Sequence, residues 1–126
     1  MKLFSALILF ILASCINYQD NSDNLIGKWQ CYHREFEDGT TTGIDLGGKE
    51  FEYSCDEITI ELKSDLTGFD NTGLKFRYQK KDSILTLGNR SYIIEELTNK
   101  ELIIRDYDPS GISTRFFRSK FKKSNE

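Results

Sequence analysis

The spaces between the apolar runs constrain this chain more than the runs themselves do. Residues 57–63 read Glu-Ile-Thr-Ile-Glu-Leu-Lys, which puts Ile58, Ile60 and Leu62 on one face of an extended strand and charge or hydroxyl on the other. Residues 74–80, Leu-Lys-Phe-Arg-Tyr-Gln-Lys, repeat the alternation, and β-rich runs follow at 83–87, 92–97, 101–107 and 113–121. The separators at 64–68, 81–82, 88–90, 98–100 and 108–111 are turn chemistry, rich in Asp, Asn, Ser and Gly and holding the single Pro. Gaps that short permit antiparallel hairpins, whereas a parallel crossover needs about a dozen residues or more. With 28–36 and 51–55 added, the count reaches eight short strands. A sheet of that width curls and closes, which also hides its edges. The expected fold is all-β: a small antiparallel up-and-down β-barrel, or a half-open version of one. Its inner face is expected to carry Trp29, Ile58, Ile60, Leu62, Leu74, Phe76, Tyr78, Leu85, Leu87, Tyr92, Ile94, Leu102, Ile104 and one of Phe116 or Phe117. An eight-stranded interior is either filled by such side chains or holds one small ligand.

The N-terminus speaks to location. Behind Lys2, residues 3–12 form an almost unbroken apolar run. At about 1.5 Å per residue it covers about half of a bilayer's roughly 30 Å hydrocarbon core, the layout of a signal peptide rather than of a membrane-spanning helix. The run ends in Leu12-Ala13-Ser14-Cys15, which resembles the lipobox of bacterial lipoproteins. That resemblance implies cleavage before Cys15, a diacylglycerol on its sulfur and a further acyl chain on its amine. Several chains at about 0.8 kcal/mol per buried CH₂ anchor firmly where one does not. The implied partner is a membrane, reached through acylated Cys15, and the implied location is extracytoplasmic, on a bacterial outer membrane. A plain secretory signal with Cys15 near its cut is the alternative. Residues 16–24 are polar, acidic and aperiodic, a tether that reaches at most about 30 Å. The organisation is then a signal peptide at 1–14, lipidated Cys15 and tether at 15–24, a barrel domain at 25–121 and a disordered basic tail at 122–126.

A length of 126 residues supports one domain, and the net charge of −3 argues against a nucleic-acid binder. One His and three Cys exclude most multi-ligand metal sites, and no cofactor is expected.

Leu25-Ile26-Gly27-Lys28-Trp29-Gln30 resembles the Gly-x-Trp opening of lipocalins and of the shorter lipocalin-like lipoproteins of Bacteroidetes-type bacteria. Residues 82–87 and 92–104 are similar to that family's D-x-L-x-L and Y-x-I-x-x-L-T cadence, so the likeness spans about 25–121. It departs from full lipocalins in being shorter and in lacking the Thr-Asp-Tyr motif, of which Arg105-Asp106-Tyr107 is only an echo. The resemblance implies that Gly27 and Trp29 close one end of the barrel, with Arg115 or Arg118 of the last strand packed over the indole. It also implies a small apolar ligand at the barrel mouth, for which Phe76, Tyr78 and Tyr92 are the lining candidates.

The remaining chemistry-bearing residues are few. Cys31 and Cys55, on expected neighbouring strands of an exported domain, suggest a disulfide, and two reduced cysteines are the alternative. His33 lies two residues beyond Cys31, on the same expected face, and reads as a rim histidine because neither metal partners nor a nucleophile stand near it in sequence. Asp106 to Gly111 matches the opening of a calcium loop, but Phe117 stands where its bidentate Glu should be, so a Pro-containing turn is the better account. Glu95-Glu96 and Asp56-Glu57 are adjacent carboxylates, which strand geometry sends to opposite faces, and with Glu50 and Glu52 they read as solvated. The loop at 38–48 is the longest irregular stretch and is expected at the mouth. The leading expectation is a non-catalytic, lipid-anchored binding protein for a small apolar ligand. The alternative is an envelope protein-interaction module, an inhibitor or assembly accessory, using loop 38–48 or the basic C-terminal strand.

Overall fold

The computed structural model describes residues 24–124. The signal peptide, Cys15 and most of the tether lie outside the described residues. Ten strands follow in chain order: β1 Gly27–Phe36, β2 Thr42–Ile44, β3 Glu50–Glu52, β4 Thr59–Leu62, β5 Thr67–Asp70, β6 Lys75–Lys81, β7 Ile84–Leu87, β8 Arg90–Leu97, β9 Glu101–Asp106 and β10 Phe117–Lys123. Eight close into an antiparallel barrel in the order β1-β10-β9-β8-β7-β6-β5-β4, and β2 and β3 form a separate two-stranded sheet.

The meander from β4 to β10 follows from the turns. Leu87 pairs with Arg90 across a two-residue loop, and Gly88 opens that loop at φ 64°, a conformation that glycine takes without steric cost. Asp65 and Asp70 each accept the backbone N–H two residues on, so these side chains template the β4–β5 and β5–β6 turns. Closure comes from β1, which pairs with β4 over Gly27 to Gln30 and with β10 along its length. Trp29, Cys31, Ile60, Leu62, Tyr78, Leu85, Leu102, Ile104 and Phe121 form the buried core, joined by Leu25 and Cys55, with Ile58, Phe76, Leu87, Tyr92 and Ile94 packed against it.

Eight barrel strands are present, but not the eight expected. Residues 64–68 are not all turn: Thr67–Asp70 is β5, and its inward residue Gly68 lies under the ring of Phe76. Residues 51–55 are not a barrel strand, because β3 pairs with β2 outside the barrel. The last strand starts at Phe117 rather than at 113 and continues to Lys123, so Lys122 and Lys123 belong to the sheet and not to a tail. Leu74, expected inside, is 66% exposed beside the β5–β6 turn. A bulge between Cys31 and His33 shifts the phase of β1, so Arg34 faces the interior opposite Ser119 while His33 faces out beside Glu35.

Candidate functional site

At the end where the chain enters the barrel, Trp29 is fully buried and its Nε1–H donates to the Leu25 carbonyl at 2.8 Å. Lys123 crosses over it: Nζ lies 4.9 Å from the Trp29 ring and donates to the Asn24 carbonyl at 2.9 Å. Burial depresses the Lys123 ammonium below the ordinary lysine range. Gly27 lies under the stem of Lys123 at φ 138°, where a Cβ would meet Cε at 3.2 Å. Lys123 therefore takes the position that the resemblance assigned to Arg115 or Arg118. Arg118 faces outward, hydrogen-bonded to Glu95 and 3.8 Å from Glu35, and the paired guanidinium holds the Glu95 carboxyl below its usual range. Arg115 lies at the other end of the molecule.

That other end is built from stacked aromatics and arginines. Phe36 and Phe117, opposite each other on β1 and β10, stack at 4.1 Å. The Arg115 guanidinium lies 3.7 Å from the Phe36 ring and that of Arg34 lies 4.0 Å from the Phe117 ring, so two cations bracket two rings. Tyr53 packs edge-on against both rings and against Phe51. This contact seats an arm, residues 37–58, on the barrel end. The Cys31–Cys55 disulfide fastens the arm's far side, with Cα atoms 5.6 Å apart. Gln30 Nε2–H donates to the Asp56 carbonyl at 2.6 Å, and the Cys31 N–H donates to the Ile58 carbonyl at 3.0 Å.

The free part of the arm is the β2–β3 hairpin. Asp45 Oδ1 accepts the N–H groups of Gly47 and Lys49, both at 2.9 Å, which fixes the turn without burying any apolar surface. Ile44 and Leu46 at this tip are 73% and 110% exposed, and Phe51 behind them is 42% exposed. From Glu37 to Glu57 the arm carries seven acids against Lys49 alone. Glu37 and Asp38 pair with Arg105 and Arg115, so the charge that faces water comes from the hairpin and from Asp56 and Glu57.

The expected ligand-lining side chains are part of the packed interior. Tyr78 is buried, its hydroxyl donates to the Lys63 carbonyl at 2.6 Å, and its outer side borders a shallow groove of about 380 Å³ with Leu66, Arg77 and Thr86. Phe76 covers Gly68, and Tyr92 is half-buried with its phenol pushed above the ordinary range by that burial. Other clefts lie at the surface: one of about 380 Å³ beside Trp29, Thr59 and Phe69, and one of about 290 Å³ between β1 and the arm.

The calcium-like loop spends its second carboxylate on itself. Asp108 accepts the Ser110 hydroxyl at 2.5 Å and the N–H groups of Ser113 and Ser110 at 2.9 and 3.0 Å, which together hold its carboxyl far below the usual range. Among the described residues, no group of three or more His, Cys, Asp or Glu side chains is placed to hold a metal ion. Glu95 and Glu96 do not point to opposite faces: a bulge between Ile94 and Glu96 leaves both exposed. Sequence reasoning missed Arg34 as an interior residue. The signal was present, because Trp29 and Cys31 are odd-numbered while Phe36 is even, which requires a phase break between them. Compared with known proteins, the chain matches no family model, no curated sequence and no solved structure.

Proposed function

We propose that this protein is a lipid-anchored, extracytoplasmic, non-catalytic binding module that engages a protein partner through the tip of the β2–β3 hairpin. The exposure of Ile44 and Leu46, on a tip organised by its own hydrogen bonds, carries this reading. The placement of the hairpin supports it. The chain reaches the barrel at Leu25, and the ten residues of β1 run from that end to Phe36, where the arm departs. At about 3.3 Å per residue, β1 separates anchor and hairpin by up to about 33 Å, so an anchor on Cys15 presents the hairpin away from the bilayer. Charge defines the partner: an acidic collar around an apolar tip fits an apolar pocket rimmed by Lys and Arg. The small-ligand reading has less support, because Trp29, Leu62, Leu85, Leu102 and Phe121 occupy the barrel centre.

The test places a photo-crosslinking residue at position 46 of the membrane-anchored chain and, as a control, at exposed position 66 in the β4–β5 turn. A discrete protein adduct from position 46 that disappears with Ile44→Asp is the expected outcome. Equal adducts from both positions, or a stoichiometric apolar molecule released on denaturing the purified protein, would overturn it. Loss of palmitate incorporation in Cys15→Ser tests the anchor separately.

A further inference from the structure

On β10 the outward cations are answered by acids: Arg118 is hydrogen-bonded to Glu95, and Lys120 lies 3.6 Å from Glu35. β6 is different. Its exposed positions are Lys75, Arg77, Gln79 and Lys81. The flanking strands turn Thr67 and Phe69 of β5, and Ile84 and Thr86 of β7, to the same side. This outer face of the sheet therefore holds three cations and no acid. Among the described residues, Arg77 and Lys81 make no ion pair, and the Gln79 amide has no hydrogen-bond partner. The acids at its border stand in turns. Asp65 and Asp70 spend their carboxylates on the N–H groups and hydroxyls of Thr67 and Thr72, and Asp82 lies in the β6–β7 turn.

Leu66 stands at the border of this face. Leu62 pairs with Gly27, so the turn that follows lies at the end where the chain enters the barrel. Leu66 has φ 69°, a conformation that glycine takes without cost and leucine does not. Its N–H donates to the Lys63 carbonyl at 3.2 Å and its carbonyl accepts the Tyr78 N–H at 2.9 Å, which holds the turn in place. No burial compensates for the backbone cost, because the side chain is 50% exposed. A groove of about 380 Å³ joins Leu66 to Arg77, Gln79 and Thr86. An apolar side chain held out in water beside an unpaired guanidinium suits a surface that is both apolar and anionic.

We propose that this face docks the barrel on an anionic bilayer, with Leu66 entering the acyl boundary and a lipid phosphate seated on Arg77. The inference rests on the Cys15 anchor of the reading above and adds an orientation to it. Two observations choose a bilayer over an acidic protein. Residues 16–24 join the barrel at this same end and reach at most about 30 Å, so an anchored chain always has the lipid surface within range. The charge is also divided between opposite sides of the ring. In the closed order, β6 stands four places from β10, and the acidic arm packs on β1 and β10. An anionic surface attracts the one side and repels the other, which leaves the hairpin pointing to water.

The experiment reconstitutes the full chain in vesicles whose acyl chains carry bromine, which quenches any tryptophan it touches. Leu66→Trp is the probe, Leu46→Trp the control, and the unaltered protein gives the background from buried Trp29. Vesicles of phosphatidylglycerol are compared with vesicles of phosphatidylcholine. The expected result is quenching at position 66 in the anionic vesicles alone, with position 46 unquenched in both. Raising salt from about 0.1 M to about 1 M shrinks the screening length from roughly 10 Å to roughly 3 Å and should reverse the effect without any second substitution. Arg77→Glu combined with Lys81→Glu should reduce the quenching at least threefold. An unquenched position 66 in phosphatidylglycerol, or equal quenching in phosphatidylcholine or at high salt, defeats the proposal. A residue at 66 that faces lipid gives no discrete protein adduct, so the crosslinking comparison of positions 46 and 66 stands. Failure of hairpin docking is read by that comparison, failure of the anchor by palmitate incorporation, and failure of this face by quenching, so the three are told apart.

Discussion

Trp29 sits comfortably at the bottom of the barrel because its hydrophobic surface and its one donor are both provided for. The indole is buried in one cluster with Leu25 and Leu62, the Lys123 ammonium lies over its face, and its N–H is given to the Leu25 carbonyl. Lys123→Ala removes the overlying cation and the bond to Asn24, and should lower stability by about 1–2 kcal/mol in urea denaturation, with Lys123→Arg recovering most of it. The outer network behaves differently because it is wet. Glu95 has a lowered pKa chiefly from its hydrogen bond to Arg118. The stability it contributes is present above its unfolded-state pKa and is lost as pH falls through the folded one. The stability difference between wild type and Glu95→Gln, measured by denaturant titration at several pH values, should therefore be seen at neutral pH and vanish in acid. Gly68 is a third sensitive residue. A Cβ there would lie 2.7 Å from the Phe76 ring and 2.8 Å from the Glu61 carbonyl oxygen, so Gly68→Ala should cost about 1–3 kcal/mol.

The elements show why some strands were legible and others were not. β4 and β6 alternate apolar and polar residues because one face is core and the other is solvent, so their periodicity is visible in the letters. β5 has no such signature. Its inward residue is a glycine whose space is filled from the next strand, leaving Thr-Gly-Phe-Asp to look like the end of a turn. Residues 51–55 mislead in the opposite sense. Phe51 and Tyr53 alternate as a barrel strand would, but their rings serve the cluster with Phe36 and Phe117 that seats the arm. The β8 bulge leaves no mark in the alternation, whereas the β1 bulge shows only as the change of phase between Cys31 and Phe36, and it is this one that turns Arg34 inward and His33 outward. The disulfide was legible from the two cysteines and the expectation of export, but its job was not: it joins a strand to an arm rather than strand to strand. Replacing both Cys31 and Cys55 by Ala should remove roughly 3 kcal/mol in the chain-entropy picture. Hydrogen exchange should then show the amides of 40–56 losing protection while β8 and β9 keep theirs.

At the scale of the molecule, closure depends on the two most distant parts of the chain. β1 and β10 share the longest ladder, in which Trp29 meets Lys123 and Phe36 meets Phe117, while the β1–β4 seam is only four residues long. The meander from β4 to β9 consists of local hairpins and can form early, but it buries little until β1 covers one edge and β10 the other. Loop-closure entropy has to be met before those contacts repay it, which places folding in the millisecond-to-second range typical of non-local β topologies. β10 is also the common support of both ends, since Lys123 caps the indole and Phe117 stacks in the arm cluster. A chain ending at residue 116 therefore loses both lids at once and exposes the edges of β1 and β9. It should show no cooperative thermal transition and should self-associate in size-exclusion chromatography, as open sheet edges do. A truncated chain that instead remained monomeric with a sharp transition would mean that the meander is stable alone and that closure by β10 is incidental to the fold.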